Sequence, residues 1–388
     1  MTLHIPKRFC FAVPLLLVAV AGAAWGGAAL AGSSPTPLTV CVGVSNVVHL
    51  PTGSGCSSGE TSYSLVTSDQ LTGLASRVTA LEGEVSALQT LLSGVTRTSA
   101  SGHDTLRFSG MNLQVVNGTG TTDGTANGLG NVILGYNTGP AANKTGSHDL
   151  VVGDGNTYSG TSGIVSGNSN TLSGGWSVVS GEGNTASGLD SFVGGGVNNR
   201  ASGPRSFVGG GNSDTASGVE SFDGGGFLGT ASALHSFVAG GSTDTADGES
   251  SFVGGGFHSL ITGYGRNAAA VGGSTNTLQG ESSFVGGGFN NTTDAFAINS
   301  AVAGGTVNTT SGFASFVGGG NTDTANGESS FVGGGNNNTT TTDAINSAVA
   351  GGTVNTTSGF ASFVGGGENN TAGPGTCAYV LFTVFGTC

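Results

Sequence analysis

Ser191-Phe192-Val193-Gly194-Gly195-Gly196 is the clearest copy of a phrase that recurs from about residue 150 to residue 373. Further copies stand at 206–211 and 251–256. Each copy is followed by a stretch rich in Asn, Thr and Asp that closes on Ala-Ser-Gly or a near relative. Self-similarity at a short fixed period is typical of solenoids, in which each unit stacks on the last and none folds alone. The phrase therefore predicts an elongated surface rather than a globule around a pocket, which disfavours an enzyme.

The length of the repeat can be determined from the positions of the residue that follows the repeat phenylalanine. Val151, Val165, Val179 and Val193 recur at every fourteenth position, and most later copies recur at every fifteenth. Three intervals are longer by two positions, and each leads into a repeat in which alanine replaces phenylalanine. The three alanines are Ala269, Ala301 and Ala348. The spacing predicts a mainly β fold, a parallel β-roll or β-solenoid of 14–17-residue repeats that spans 150–373.

The repeat phenylalanines are the predicted core. Two of the enlarged repeats carry extra apolar residues, Phe296 with Ile298 in one and Ile345 in the other. Such residues would refill the cavity left by a Phe-to-Ala change in a shared core. The predicted core residues are Phe192, Phe207, Phe222, Phe237, Phe252, Phe284, Phe316, Phe331 and Phe363.

Composition agrees with stacked β-structure. The 388 residues include 76 Gly and only 8 Pro, and 8% are charged whereas 36% are hydrophobic. A charge-poor sequence with regularly placed Phe and Val lacks the usual signature of disorder. Short apolar pairs bounded by Gly, Asn, Asp and Ser predict very short strands joined by tight turns.

The N-terminus predicts export. Lys7-Arg8 precede an apolar run over 9–24, and Ala29-Leu30-Ala31 fits a small-residue cleavage site. Residues 1–31 therefore read as a signal peptide, with an uncleaved membrane anchor as the alternative. No second hydrophobic stretch is long enough to cross a bilayer. We expect an extracellular or cell-surface protein.

Cysteine usage agrees with export. Apart from one cysteine in the predicted signal, four cysteines form two local pairs, Cys41 with Cys56 and Cys377 with Cys388. An even count in an exported chain favours two short-range disulfides, and neither spacing suits zinc. The first pair would close a hairpin module at 32–66. With Glu60, this module resembles a small cysteine-paired module that precedes coiled coils in exported bacterial proteins.

Residues 67–97 predict a coiled coil. Apolar residues hold strict a and d heptad positions over four heptads, and Ser68 and Asp69 supply a helix start. A single amphipathic helix with no partner elsewhere in the chain must bury its stripe against copies of itself, so we expect a homo-oligomer. The a and d residues are Leu71, Leu74, Val78, Leu81, Val85, Leu88, Leu92 and Val95.

Two signals in this segment disagree about the number of chains. Arg77-Val78-Thr79-Ala80-Leu81-Glu82 matches the R-h-x-x-h-E pattern of three-stranded coiled coils, in which the Arg pairs with the Glu of a neighbouring chain. Valine at a with leucine at d favours two strands instead. We predict a homotrimer in which Arg77 and Glu82 join neighbouring chains, with a dimer as the alternative.

Two segments flank the repeats. Residues 98–149 are a predicted transition, with strand-like alternation at 105–108 and 113–116, that caps the first coil. Residues 374–388 hold a single predicted strand at 378–385 between the last two cysteines.

Together these features resemble the heads of trimeric autotransporter adhesins. The heads carry S-x-A-x-G repeats of similar length, which correspond here to Ser-Val-Val-Ser-Gly at 177–181, Ser-Phe-Val-Gly-Gly at 191–195 and Ser-Ala-Val-Ala-Gly at 300–304. The resemblance covers the repeat region and implies a trimeric, left-handed parallel β-roll. Two departures are that the coiled coil comes first and that one strand stands where the family has a membrane barrel. The chain also resembles exported bacterial hemagglutinin-like repeat proteins.

The remaining motifs disfavour dinucleotide, metal and nucleic-acid sites. Two dinucleotide-type glycine patterns, at 181–186 and 263–268, lack the strand–helix context that such a site requires. The six histidines are scattered, and the Gly-rich Asp turns lack the alternating spacing of calcium-binding nonapeptides. A net charge of −13 disfavours nucleic acid as a partner. No catalytic residue, metal site or cofactor is predicted.

Two function classes remain. The first is a non-enzymatic structural or adhesive surface protein that contacts extracellular matrix or glycan, with a passive coat as its variant without a ligand. The alternative is an ice-binding or other single-chain solenoid binding protein, suggested by Thr-Asp-Thr at 243–245 and 322–324. Ice binding needs a regular Thr array. Because the coil position varies among Thr, Asn, Arg and Leu in the sequence, the first class is preferred.

Overall fold

The computed structural model describes residues 3–4, 38–44, 47–51, 55–65, 68–373 and 379–380. The chain divides into two compact units, Met1–Leu113 and Gln114–Cys388. No helix within these ranges is both long and apolar enough to cross a bilayer. Apart from two residues, the predicted signal peptide lies outside the described residues, and so do Cys377 and Cys388.

The first unit opens with a four-stranded antiparallel sheet. Its spatial order is Leu3–His4, Val47–His49, Leu38–Val42 and Thr61–Leu65. Cys41 and Cys56 form a disulfide with their Cα atoms 5.4 Å apart. The predicted Cys41–Cys56 disulfide is therefore confirmed.

One α-helix, Ser68–Leu91, follows the sheet and confirms the predicted helix start. The predicted heptad segment 67–97 overruns this helix, because Leu92 lies in a turn and Val95 begins a strand. The helix ends three residues before Gly94, and the β-branched residues that follow Gly94 favour a strand. The strand Val95–Ala100 pairs with His103–Phe108 in an antiparallel hairpin.

The second unit is a parallel β-solenoid in which each turn gives one short strand to each of two sheets. Its first strand is Val132–Leu134, preceded by no strand at 113–116, and a 3-10 turn lies at Ala141–Asn143. The first sheet comprises Val132–Leu134, Leu150–Asp154, Ile164–Asn168, Val178–Val179, Phe192–Val193, Phe207–Val208, Phe222–Asp223, Phe237–Val238, Phe252–Val253, Ala269–Ala270, Phe284–Val285, Ala301–Val302, Phe316–Val317, Phe331–Val332, Ala348–Val349, Phe363–Val364 and Tyr379–Val380.

The second sheet has 15 strands in the same sequential order. Its strands are Thr157–Tyr158, Thr171–Leu172, Thr185–Ala186, Arg200–Ala201, Thr215–Ala216, Thr230–Ala231, Thr245–Ala246, Leu260–Ile261, Thr277–Leu278, Thr292–Thr293, Thr309–Thr310, Thr324–Ala325, Thr339–Thr340, Thr356–Thr357 and Thr371–Ala372. The predicted parallel solenoid of roughly 15-residue repeats is confirmed.

The core lies between the inward residues of the two sheets. In the first sheet the second strand residue points inward and is mostly valine, as at Val193 and Val208, which are fully buried. In the second sheet it is often alanine, as at Ala186 and Ala201. Because successive residues of a strand point to opposite faces, the repeat phenylalanines point outward.

The prediction that the repeat phenylalanines form the core is therefore wrong. Phe252 is 39% exposed and Phe331 is 43% exposed, and none of the nine repeat phenylalanines is fully buried. The refilling hypothesis fails for the same reason, since the outward Phe-to-Ala changes leave no core cavity. Phe296, one of the proposed fillers, is 83% exposed.

A buried ladder of Asn and Asp side chains joins the turns beside the second sheet. The amide of Asn184 donates to Oδ1 of Asn170 at 2.9 Å, and the amide of Asn199 donates to Oδ1 of Asn184 at 2.7 Å. Each Nδ2 also donates to backbone carbonyls, as Asn199 does to Gly195 at 2.9 Å and to Gly211 at 3.1 Å. The ladder thus provides hydrogen bonds to backbone amide and carbonyl groups at a bend, where no strand pairing provides them.

The corners of the solenoid hold non-glycine residues in the left-handed region. The corner that precedes the ladder carries Val307 with φ 56° and Val354 with φ 58°, whereas the same corner carries Asn337 in another turn. A β-carbon in this region lies too close to the next carbonyl oxygen, at a cost of about 1–2 kcal/mol. Asparagine tolerates the region better.

We expect Val354→Asn to raise the free energy of unfolding by about 1 kcal/mol because it relieves this backbone strain. Val354 is 38% exposed, so little burial is lost. The matched control is Asn337→Val at the equivalent corner, which should destabilise by a similar amount. Urea denaturation measures both, and equal midpoints for the two variants and the parent protein would contradict the strain argument.

Candidate functional surfaces

The outward residues of the first sheet form a continuous apolar column. Consecutive rings stack where the residues are phenylalanine, with centroids 4.8 Å apart and planes 6° apart for Phe192 and Phe207. We call this set the outer apolar column. Its members are Leu150, Ile164, Val178, Phe192, Phe207, Phe222, Phe237, Phe252, Ala269, Phe284, Ala301, Phe316, Phe331, Ala348 and Phe363.

Part of each column side chain remains in contact with water. Ile164 is 41% exposed and Phe284 is 40% exposed, while most other members are half-buried. The nine phenylalanines together expose on the order of 500 Å², given about 200 Å² for a whole ring side chain. An exposed apolar surface of about this size is comparable to the largest patch on a typical monomeric protein, and such patches are often functional.

The helix Ser68–Leu91 carries a second uncovered apolar stripe in the first unit. The a and d side chains within the helix are about half-exposed, from 44% at Leu71 to 56% at Leu81. Within the described part of the chain, neither Arg77 nor Glu82 forms an ion pair. The half-exposed a and d residues are Leu71, Leu74, Val78, Leu81, Val85 and Leu88.

The outward residues of the second sheet form a threonine column. In all but two of its 15 strands the outward residue is threonine, the exceptions being Arg200 and Leu260. The asparagines that made this position look irregular in the sequence lie one residue earlier, in the buried ladder. The objection that the Thr array is irregular therefore fails for the asparagines and holds only at Arg200 and Leu260. The repeats alone do not show the strand register, so they could not separate the outward threonines from the buried asparagines.

The position two residues beyond each threonine forms a second outward row. It is mostly Ser, with Thr, Asn, Gln or Asp in some turns, as at Ser187, Ser217 and Thr341. Both rows point away from the core because they stand at alternate positions of one strand direction. One face of the solenoid is apolar and aromatic, and the other is lined by hydroxyl groups.

Buried carboxyl groups interrupt the core at one level. Asp223 replaces the inward valine of its strand, and Gly229 leaves a gap in the ladder in the same turn. A β-carbon at Gly229 would lie 2.6 Å from Oδ2 of Asp223, so this carboxyl reaches into the space of the missing ladder side chain. Asp214 and Asp244 occupy the ladder positions on either side, and all three aspartates are fully buried.

Burial shifts the pKa of these carboxyl groups upward. Burial is the largest cause that raises the pKa of Asp223, to about 7, and the charges of Asp214 and Asp244 raise it further. Burial also raises the pKa of Asp214, Asp244 and Asp323. In each of the four, Oδ2 has no hydrogen-bond partner. In the three ladder aspartates this atom stands where asparagine places a donor, so a proton there would restore the missing bond.

Among the residues that the structure describes, one group of possible metal ligands lies in the first unit. Donor atoms of Cys41, His49 and Glu60 lie within 4.8 Å of one another. Nε2 of His49 is 2.6 Å from Oε1 of Glu60, which raises the pKa of His49 and lowers that of Glu60. Because the Cys41 sulfur is bonded to Cys56, it offers no thiolate. The two remaining residues do not make a metal site, and Glu60 instead fastens the hairpin by accepting from the Ser57 amide at 2.9 Å.

The dinucleotide-type patterns lie in solenoid turns. Residues 181–186 and 263–268 contain bends, turns and two-residue strands but no helix, which removes the context such a motif needs. Comparison of the sequence with protein-family models and with curated proteins gives no match.

Proposed function

We propose that this protein is a non-enzymatic, exported structural or adhesive protein that acts as a homotrimer outside the cell or at its surface. The observation that carries the proposal is the outer apolar column, which runs along the solenoid without interruption by a charged or polar outward residue. Copies of the same chain can cover this column and so remove its apolar surface from water.

The heptad stripe supports the same reading independently. Its residues are half-exposed on a helix that packs no partner within the described chain, and burial of the exposed half of each leucine against a copy would contribute about 0.7–1.5 kcal/mol. Arg77 and Glu82 are free to pair between chains in the three-stranded pattern. Both units of the chain thus carry surfaces suited to self-association.

Self-association would leave the hydroxyl-lined faces turned outward. Three copies on one assembly multiply weak contacts into useful avidity, which suits attachment to extracellular matrix or glycan. A passive coat is the form of the same function that has no specific ligand.

The decisive measurement is the molar mass of the full chain, purified after export, by light scattering across a concentration series. We expect three times the mass of one chain. A mass of one chain at every concentration would contradict the proposal, and a mass of two chains would replace the trimer by the dimer that valine at a and leucine at d favour.

We expect Val78→Ser, Leu81→Ser and Val85→Ser together to weaken self-association of the chain by at least about 100-fold. These three residues would be lost from the seam, the interface that the a and d side chains form between helices. Sedimentation velocity measures the change. The matched control substitutes Thr79→Ser, Ala80→Ser and Ser86→Ala, which lie at heptad positions away from the seam. If this triple variant sediments like the parent protein, the helix does not hold the oligomer together.

A further inference from the structure

The threonine column contains a long uninterrupted run. After Leu260 the column continues for seven successive turns with no other residue type. The run comprises Thr277, Thr292, Thr309, Thr324, Thr339, Thr356 and Thr371. We call it the threonine run.

Backbone hydrogen bonds fix the spacing along the run. The amide of Thr277 donates to the carbonyl of Asn291 at 2.8 Å, and the amide of Thr309 donates to that of Asp323 at 2.9 Å. Parallel strands joined in this way are about 4.8 Å apart. Beneath the run, the ladder ties the same turns together, as in the 3.0 Å bond from the Asn308 amide to Oδ1 of Asn291.

The side chains of the run are also held in orientation. Threonine is β-branched, so its χ1 angle is restricted on a strand. All but the last of these threonines are half-buried by their neighbours. The run therefore presents methyl and hydroxyl groups in a rigid row with a constant repeat.

A second row runs parallel to the first. It starts with Gln279, and the backbone pairing continues through it, since the Gln279 amide donates to Thr293 at 2.8 Å and the Ser311 amide to Ala325 at 2.9 Å. Two residues along a strand separate the rows by roughly 6.6 Å. The result is a two-dimensional grid of polar groups and methyls, with only Asp294 charged in its second row.

Strand propensity alone does not account for the threonines. Threonine is a good strand former, yet the outward residues of the first sheet, in strands of the same length and register, include no threonine among the described turns. The two faces therefore use different residue types for reasons beyond folding.

We propose that the threonine run binds the surface of ice. Its repeat is close to that of water molecules along one axis of hexagonal ice, so hydroxyls and methyls at this repeat can hold a matching layer of water. The run lacks the aromatic residues, methionine and arginine that are enriched where proteins bind proteins. Seven equal contacts on a rigid face add up, although each is weak. The inference does not depend on the oligomeric state.

The chain supplies its own test variants. Arg200 and Leu260 stand in the same column, so the fold accepts large side chains there. Thr309→Arg, Thr324→Arg and Thr339→Arg would break the run, whereas Arg200→Thr with Leu260→Thr would extend it. The matched control is Asn321→Arg, Asn336→Arg and Thr353→Arg, at bridge positions outside both rows.

The experiment is inhibition of ice recrystallisation by the full chain, with circular dichroism to confirm folding. We expect activity in the parent protein, a loss of at least about tenfold in the triple-Arg variant and a gain in the variant that extends the run, because contacts act together. The control should keep parental activity. A folded parent protein without activity, or a triple-Arg variant with full activity, would overturn the proposal. Neither result would bear on the homotrimer, which the molar mass tests separately.

Discussion

Asp223→Val will raise the free energy of unfolding at pH 8 by about 4 kcal/mol, because a pKa raised from 3.8 to about 7 corresponds to roughly 3 pH units at 1.36 kcal/mol each. Folding must either neutralise this fully buried carboxyl or bury its charge. Valine is the residue that the flanking turns place at this position, as at Val208 and Val238, so it restores the core column.

The pH dependence of this effect has a definite sign. The folded chain holds the Asp223 proton more tightly than the unfolded chain, so the parent protein loses stability as pH rises from about 4 to about 7 and stays constant above that range. Asp223→Val removes this loss. The two proteins should therefore differ most above pH 7 and least below pH 4, where the carboxyl is neutral in both states.

Denaturant titration at pH 4 and pH 8 measures the difference, with hydrogen exchange at residues 207–253 as a local readout. A local readout is needed because stacked repeats unfold in parts. Asp323→Asn is the matched comparison, since burial raises its pKa too and asparagine is the usual ladder residue. It should also stabilise more at pH 8 than at pH 4. Equal gains from Asp223→Val at both pH values would show that folding does not raise the pKa of Asp223.

Phe207→Ala, Phe222→Ala and Phe237→Ala together will weaken self-association of the chain by at least about 100-fold, because large aromatic anchors dominate the energy of protein interfaces. The three rings form one stack, with neighbouring centroids 4.8 and 4.5 Å apart. The fold should survive, since the chain itself places alanine in this column in three other turns.

The matched control is Thr215→Ala, Thr230→Ala and Thr245→Ala, which changes the same three turns on the opposite face. Sedimentation at a series of concentrations gives the dissociation constants. The control should associate like the parent protein. If the phenylalanine variant does so as well, the outer apolar column is not the interface between copies and the helix alone organises the assembly.

The gain in stability expected from Asp223→Val depends on a feature that the sequence does not reveal, namely which residue of each strand faces the core. The repeat places Asp223 at a position that is valine in most turns, but the sequence alone does not show that this position faces inward. In a two-residue strand, Phe-Val pairs fit either orientation, and the larger residue is the natural choice for a core. The structure places valine inside, where it packs opposite a second sheet whose inward residue is often alanine.

The sequence by itself determined the period, the parallel stacking, the start of the helix and the Cys41–Cys56 disulfide, because each depends on local spacing along the chain. Only the tertiary structure decided which face each residue joins, where the ladder runs and where the helix ends. Face and register depend on hydrogen bonds between successive turns of the solenoid, and a shift of one residue in that pairing exchanges the two faces. The threonine column and the outer apolar column both follow from that register.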